Sequence, residues 1–173
     1  THFFLMAALG AALNVGAAPG LATTAAQADF TGTWVLDTSR SVGLPEGMEQ
    51  TMTVNQSGDR IEVETRTTTP MGEQRNTDVY ILDGKETDFR PPILGEVSAT
   101  GKRTSRWSEG RNGIEATERA TIQEPEGEVT ITATRKWTLA PDGDTLIVEM
   151  AFSGPQGEMT STRVFTRQEP AAR

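Results

Sequence analysis

From residue 30 onward the chain alternates polar and apolar positions with period two, and almost nowhere with the period of a helix. Residues 60–68 set Ile61, Val63, Thr65 and Thr67 on one side and Glu62, Glu64 and Arg66 on the other. Residues 128–139 place Val129, Ile131, Ala133, Arg135, Trp137 and Leu139 on one face, and residues 145–153 align Leu146, Val148, Met150 and Phe152. Shorter segments of the same kind fall at 33–37, 51–56, 73–82, 85–90, 103–108, 114–123 and 159–168. Turn residues separate them: Ser57-Gly58-Asp59, Pro70-Met71-Gly72, Asp83-Gly84, Asn112-Gly113, Pro125-Glu126-Gly127, Pro141-Asp142-Gly143 and Gly154-Pro155-Gln156-Gly157.

This pattern predicts an all-β domain of about 8–10 antiparallel strands. Short turns favour sequential hairpins, and a long up-and-down meander avoids two adhesive edges by closing into a barrel. A two-sheet sandwich is the competing architecture. Pro91-Pro92 cannot join a regular ladder, so residues 91–101 form the longest predicted connection, either a lid over the barrel mouth or an ordinary surface loop.

The N-terminus reads differently. Residues 1–28 hold no Lys, Arg, Asp or Glu, run apolar from Phe3 to Leu13, and end in the small-x-small triplet Ala26-Gln27-Ala28. These are the apolar core and cleavage site of a secretory signal, too short and interrupted for a membrane span. The reading divides the chain into a signal peptide over 1–28, lacking its basic start, a barrel domain over 29–169, and a frayed tail over 170–173. It places the protein in the periplasm or outside the cell. The chain has no Cys, so no disulfide supports the fold.

All 16 Lys+Arg and 24 Asp+Glu follow residue 28, giving a net charge of −8. That balance excludes a basic footprint for nucleic acid or anionic lipid. The single His is His2, inside the predicted signal. Without His or Cys, the barrel domain lacks the usual nucleophilic dyads and zinc ligands, so the reading is non-catalytic, with no metal and no cofactor. Asp142-Gly143-Asp144 suggests calcium, but lacks the ligand series of a calcium loop and reads better as a hairpin turn.

With Gly32-Thr33-Trp34 on the first strand and Val164-Phe165-Thr166-Arg167 on the last, the chain resembles the calycin group, the lipocalins and their relatives. Asp29-Phe30-Thr31-Gly32-Thr33-Trp34-Val35-Leu36-Asp37, straight after a signal, is similar to the opening of bacterial secreted lipocalin-like proteins. The resemblance implies a lipocalin-like barrel in which Trp34 packs across the closed end and Arg167 lies over its indole. A guanidinium on an indole face makes a cation–π contact while its fork satisfies carbonyls. The Thr-Asp-Tyr motif of standard lipocalins and the helix after their barrel are missing from this chain.

Parity singles out further residues. Arg135 shares a face with Ile131, Ala133 and Trp137, and Arg163 shares one with Phe165 and Arg167. If those faces are the interior, Arg135 and Arg163 meet an acidic head while apolar walls hold a tail, with Trp137, Tyr80 and Trp107 lining the cavity. Against this stands the rarity of fully buried charges and the ordinary core role of strand aromatics. The resulting expectation is an exported carrier or scavenger of a small hydrophobic or amphipathic ligand, with an anionic head if the arginines face inward. The alternative is a non-catalytic interaction module with a filled barrel.

Overall fold

A computed structural model describes residues 27–91, 99–124, 127–155 and 157–168. The predicted signal up to residue 26, the core of the Pro91–Gly101 connection and the C-terminal tail lie outside the described residues. Ten strands follow in order: β1 (Gly32–Leu36), β2 (Glu49–Ser57), β3 (Arg60–Thr69), β4 (Gly72–Ile81), β5 (Asp83–Phe89), β6 (Ala99–Trp107), β7 (Gly113–Glu124), β8 (Gly127–Leu139), β9 (Thr145–Gly154) and β10 (Gly157–Gln168). One 3-10 turn, Glu109–Arg111, separates β6 from β7.

Every hydrogen-bonded neighbour is antiparallel, and the sheet runs β4-β3-β2-β1-β10-β9-β8-β7-β6-β5. The first strand pairs with the last, with Trp34 opposite Arg167. The product is a nearly closed up-and-down barrel of the calycin, lipocalin-like type. Its one discontinuity falls between β4 and β5, which the Asp83-Gly84 signal marked as an ordinary hairpin. Asp83 and Gly84 instead open β5, where Asp83 pairs with Arg106 and the register shifts before Glu86, and no ladder joins β4 to β5 among the described residues.

Side-chain alternation fills the barrel from its base. Trp34, Val54, Ile61, Ile114, Leu146 and Phe165 are all buried. Phe30 plugs the closed end, stacked on Trp107 at 6.2 Å and edge-on to Trp137 at 5.9 Å. The Trp34 indole N–H donates to the Phe30 carbonyl at 2.8 Å. The Ala28 N–H donates to the Arg111 carbonyl at 2.9 Å, so the approach to Phe30 is itself held at the base.

Arg167 locks this end. Its guanidinium carbon lies 4.3 Å from the Trp34 ring centre. Its Nε donates to the Gly143 carbonyl at 2.9 Å, its Nη2 to the Asp29 carbonyl at 3.1 Å, and its Nη1 to the Thr31 carbonyl. Gly32 explains the first half of the Gly-x-Trp motif. Its φ of +141° disfavours an L side chain, and a Cβ there would lie 2.8 Å from Arg167 Nη1. Arg167→Ala removes the cation–π contact and orphans three carbonyls. Urea unfolding should show a loss of about 1–3 kcal/mol; a change within about 0.5 kcal/mol, ordinary for a surface position, would contradict the lock.

A candidate ligand cavity with an arginine and carboxylate cluster

Above the aromatic base the barrel encloses a cavity of ≈ 930 Å³, within the usual size of small-molecule sites. Two kinds of wall face each other across it. Val148, Met150 and Phe152 of β9, with Trp137 and Phe165, form an apolar side. Gln50, Thr65, Thr67, Gln74 and Asn76 of β2, β3 and β4 bring amides and hydroxyls to the other. Both sides follow from strand parity, since every second residue turns inward.

The structure places Arg135, Arg163, Trp137 and Tyr80 together on this cavity. Trp137 and Tyr80 meet at 5.7 Å between ring centres and form its floor. Burial pushes the Tyr80 phenol up to about 12. Trp107, grouped with them by parity, belongs elsewhere. It sits at the closed end beside Phe30, its indole N–H donating to Asp59 Oδ1 at 2.8 Å and its ring 5.1 Å from the Arg111 guanidinium. Alternation fixes the side to which a residue points but not its height along the axis, and Trp107 ends β6 at the base.

Arg135 is not free. Its Nε donates to both carboxylate oxygens of Glu118 at 3.2 Å, and its Nη1 approaches the Met150 sulfur at 3.7 Å. Burial opposes its charge, but the electrostatic pull of Tyr80, Glu118 and Asp78 and the hydrogen bond to Glu118 raise its pKa.

Glu118 also accepts from Arg103, which the sequence reading passed over. The Arg103 side chain is 1% exposed. Its Nε donates to Glu118 Oε1 at 2.9 Å, its Nη1 to the Val79 carbonyl at 3.0 Å, and its Nη2 to Asp78 Oδ1 at 2.7 Å. Tyr80 and Phe89 sandwich the guanidinium at 4.2 and 4.4 Å. Arg103 thus reaches from β6 across the β4–β5 discontinuity and takes a β4 carbonyl that a ladder would otherwise pair. Phe89 packs against Gly101, where a Cβ would collide with its ring. A signal for both charges existed in the alternation. Arg103 shares parity with Ser105 and Trp107, and Glu118 with Ile114, Ala116 and Ala120.

Arg163 has a different environment. Its Nη1 donates to Gln50 Oε1 at 3.0 Å, while Gln50 in turn donates to the Thr67 hydroxyl at 2.9 Å. Its Nε has no hydrogen-bond partner, and among the described residues no carboxylate lies within ion-pair distance. Burial and the neighbouring Arg135 charge lower its pKa. Among the described residues no cluster of His, Cys, Asp and Glu could hold a metal ion.

Zebrafish ileal bile acid-binding protein, in complex with cholic acid, matches with a TM-score of 0.50 at 17% identity, over 80% of this chain and 98% of that one. The likeness is one of fold. A fatty-acid-binding protein from Manduca sexta gives a TM-score of 0.43 at 15% identity, over 80% of this chain and 99% of that one. Secretory abundant heat soluble protein 4 from Ramazzottius varieornatus gives 0.42 at 15%, over 80% and 94%. No family model matches the chain, and neither does any curated protein.

Proposed function

We propose that this protein is an exported carrier of a small amphipathic molecule, with an apolar body lying against β9 and an acidic head at Arg163. One observation carries the reading: a partly buried arginine that has no carboxylate partner among the described residues lines a cavity of ≈ 930 Å³ that is apolar on one side. A cation left in that state is costly unless a ligand anion completes it, and a charge-assisted contact there is stronger than in water. Arg135, raised by parity to equal rank, has its anion already in Glu118 and takes a supporting part. The fold shared with a protein that holds cholic acid supports the ligand class by analogy. An open cavity runs against the filled-barrel interaction module.

The test is a fluorescence titration with palmitate and its methyl ester. Arg163→Ala should weaken the acid by roughly ten- to a hundredfold, the equivalent of one charge-assisted hydrogen bond, and leave the ester almost unchanged. Equal weakening of both would reject the head-group role. No saturable binding of either by the wild type would reject this ligand class.

Export rests on the uncharged segment 1–28 and its Ala26-Gln27-Ala28 end. N-terminal sequencing of protein recovered from its host should begin at Asp29. Recovery of an intact leader on the folded protein would overturn the signal assignment.

A further inference from the structure

Arg103, Arg135 and Arg163 line the cavity together with Asp78 of β4, and Glu118 of β7 is buried against the first two arginines without lining the cavity itself. Glu118 stands between two of the arginines: Arg103 Nη2 is 2.8 Å from its Oε1 and Arg135 Nε is 3.2 Å from the same atom. Its side chain is 5% exposed, so water screens these contacts little. The remaining charged groups at the cavity lie at its exposed mouth. There Arg75 pairs with Glu73, Asp88 pairs with Lys102, and Arg90 is open to solvent. Tyr80, the other titratable group facing the cluster, is neutral across the physiological range.

We propose that Glu118 is a specificity-determining residue that limits the ligand's head to a single negative charge. The inference rests on the anionic-carrier reading given above. Glu118 and Asp78 together consume the charge of Arg103 and Arg135, which leaves Arg163 as the one uncompensated buried cation of the cavity among the described residues. A monoanion neutralises Arg163 and completes the cluster. A dianion would bring a second charge that finds no free guanidinium, because Arg135 is already held by Glu118. Glu118 touches no ligand in this scheme; it acts by occupying Arg135.

The ligand's own titration supplies the test on the full-length wild type. Decyl phosphate loses its second proton at a pH of about 6, so it is a monoanion at pH 5 and a dianion at pH 8.5. Decane sulfonate is a monoanion at both, and dividing by its affinity cancels any pH effect on the protein. The affinity ratio of phosphate to sulfonate should fall by about tenfold or more between the two pH values. In Glu118→Gln, which frees Arg135, the same ratio should hold level or rise.

A wild-type ratio that does not change with pH would overturn the proposal while leaving the carrier reading intact. A Glu118→Gln ratio that falls as steeply as the wild type's would overturn it too. If that variant does not fold, the wild-type ratio decides alone. Failure of decane sulfonate itself to bind saturably would defeat the carrier reading, and this inference with it.

Discussion

Arg103→Met should cost the barrel about 3–5 kcal/mol, the loss expected when one member of a buried ion cluster is removed and its partners stay behind. Methionine keeps most of the stem volume, so the effect reports charge and hydrogen bonds rather than a cavity. Three acceptors lose a donor together: Glu118, Asp78 and the Val79 carbonyl. The Val79 carbonyl belongs to the edge of β4 that no ladder covers, so the damage should concentrate at the β4–β5 discontinuity. Hydrogen exchange should rise in β4 and β5 while β8, β9 and β10 keep their protection. Urea unfolding gives the magnitude. A loss under about 1 kcal/mol would mean that Asp78 and Glu118 find other partners, and that Arg103 does not hold the two strands together.

Trp34→Ala should cost a similar amount, about 3–5 kcal/mol, as is usual when a buried large aromatic is truncated. Trp34 is fully buried at the closed end, between Met52 of β2 and Arg167 of β10. Its loss opens a void, orphans the Phe30 carbonyl and removes the surface on which the Arg167 guanidinium rests. At this chain length, each kcal/mol moves the melting midpoint by about 2–4 °C, so thermal denaturation should report a fall near 10 °C. The double variant with Arg167→Ala should lose less than the sum of the two single changes, by about 0.5–2 kcal/mol, because the two residues share one contact. Strict additivity would show that they act independently and would remove the argument for a paired closure.

The sequence by itself determined the strands and their faces. A side chain in a strand must point to one side or the other, and only one side of a barrel is dry, so alternation separates interior from exterior. That was enough to set Ile61 and Val63, and Leu146, Val148 and Met150, toward the centre; it put Arg135 and Arg163 on the same parity, but the rarity of buried charge left their direction open until the structure placed both on the cavity. It was also enough, with the family resemblance, to bring the first and last strands together at Trp34 and Arg167. What alternation lacks is height and register. Trp107 points inward as its parity requires, yet stands at the base with Phe30 and Asp59 rather than on the cavity.

Only the tertiary structure decided which inward charges cancel. Arg103 and Glu118 are directly opposite on β6 and β7, a pairing set by the turn through Ser108 and Asn112. Arg135 comes from the next strand to the other side of the same carboxylate, and Asp78 comes from across the discontinuity. The same register leaves Arg163 with an amide in place of an acid. Charge neutralisation decays over a few ångströms, so it depends on which strands are neighbours and how far each has slid. A period-two pattern along one chain carries neither quantity.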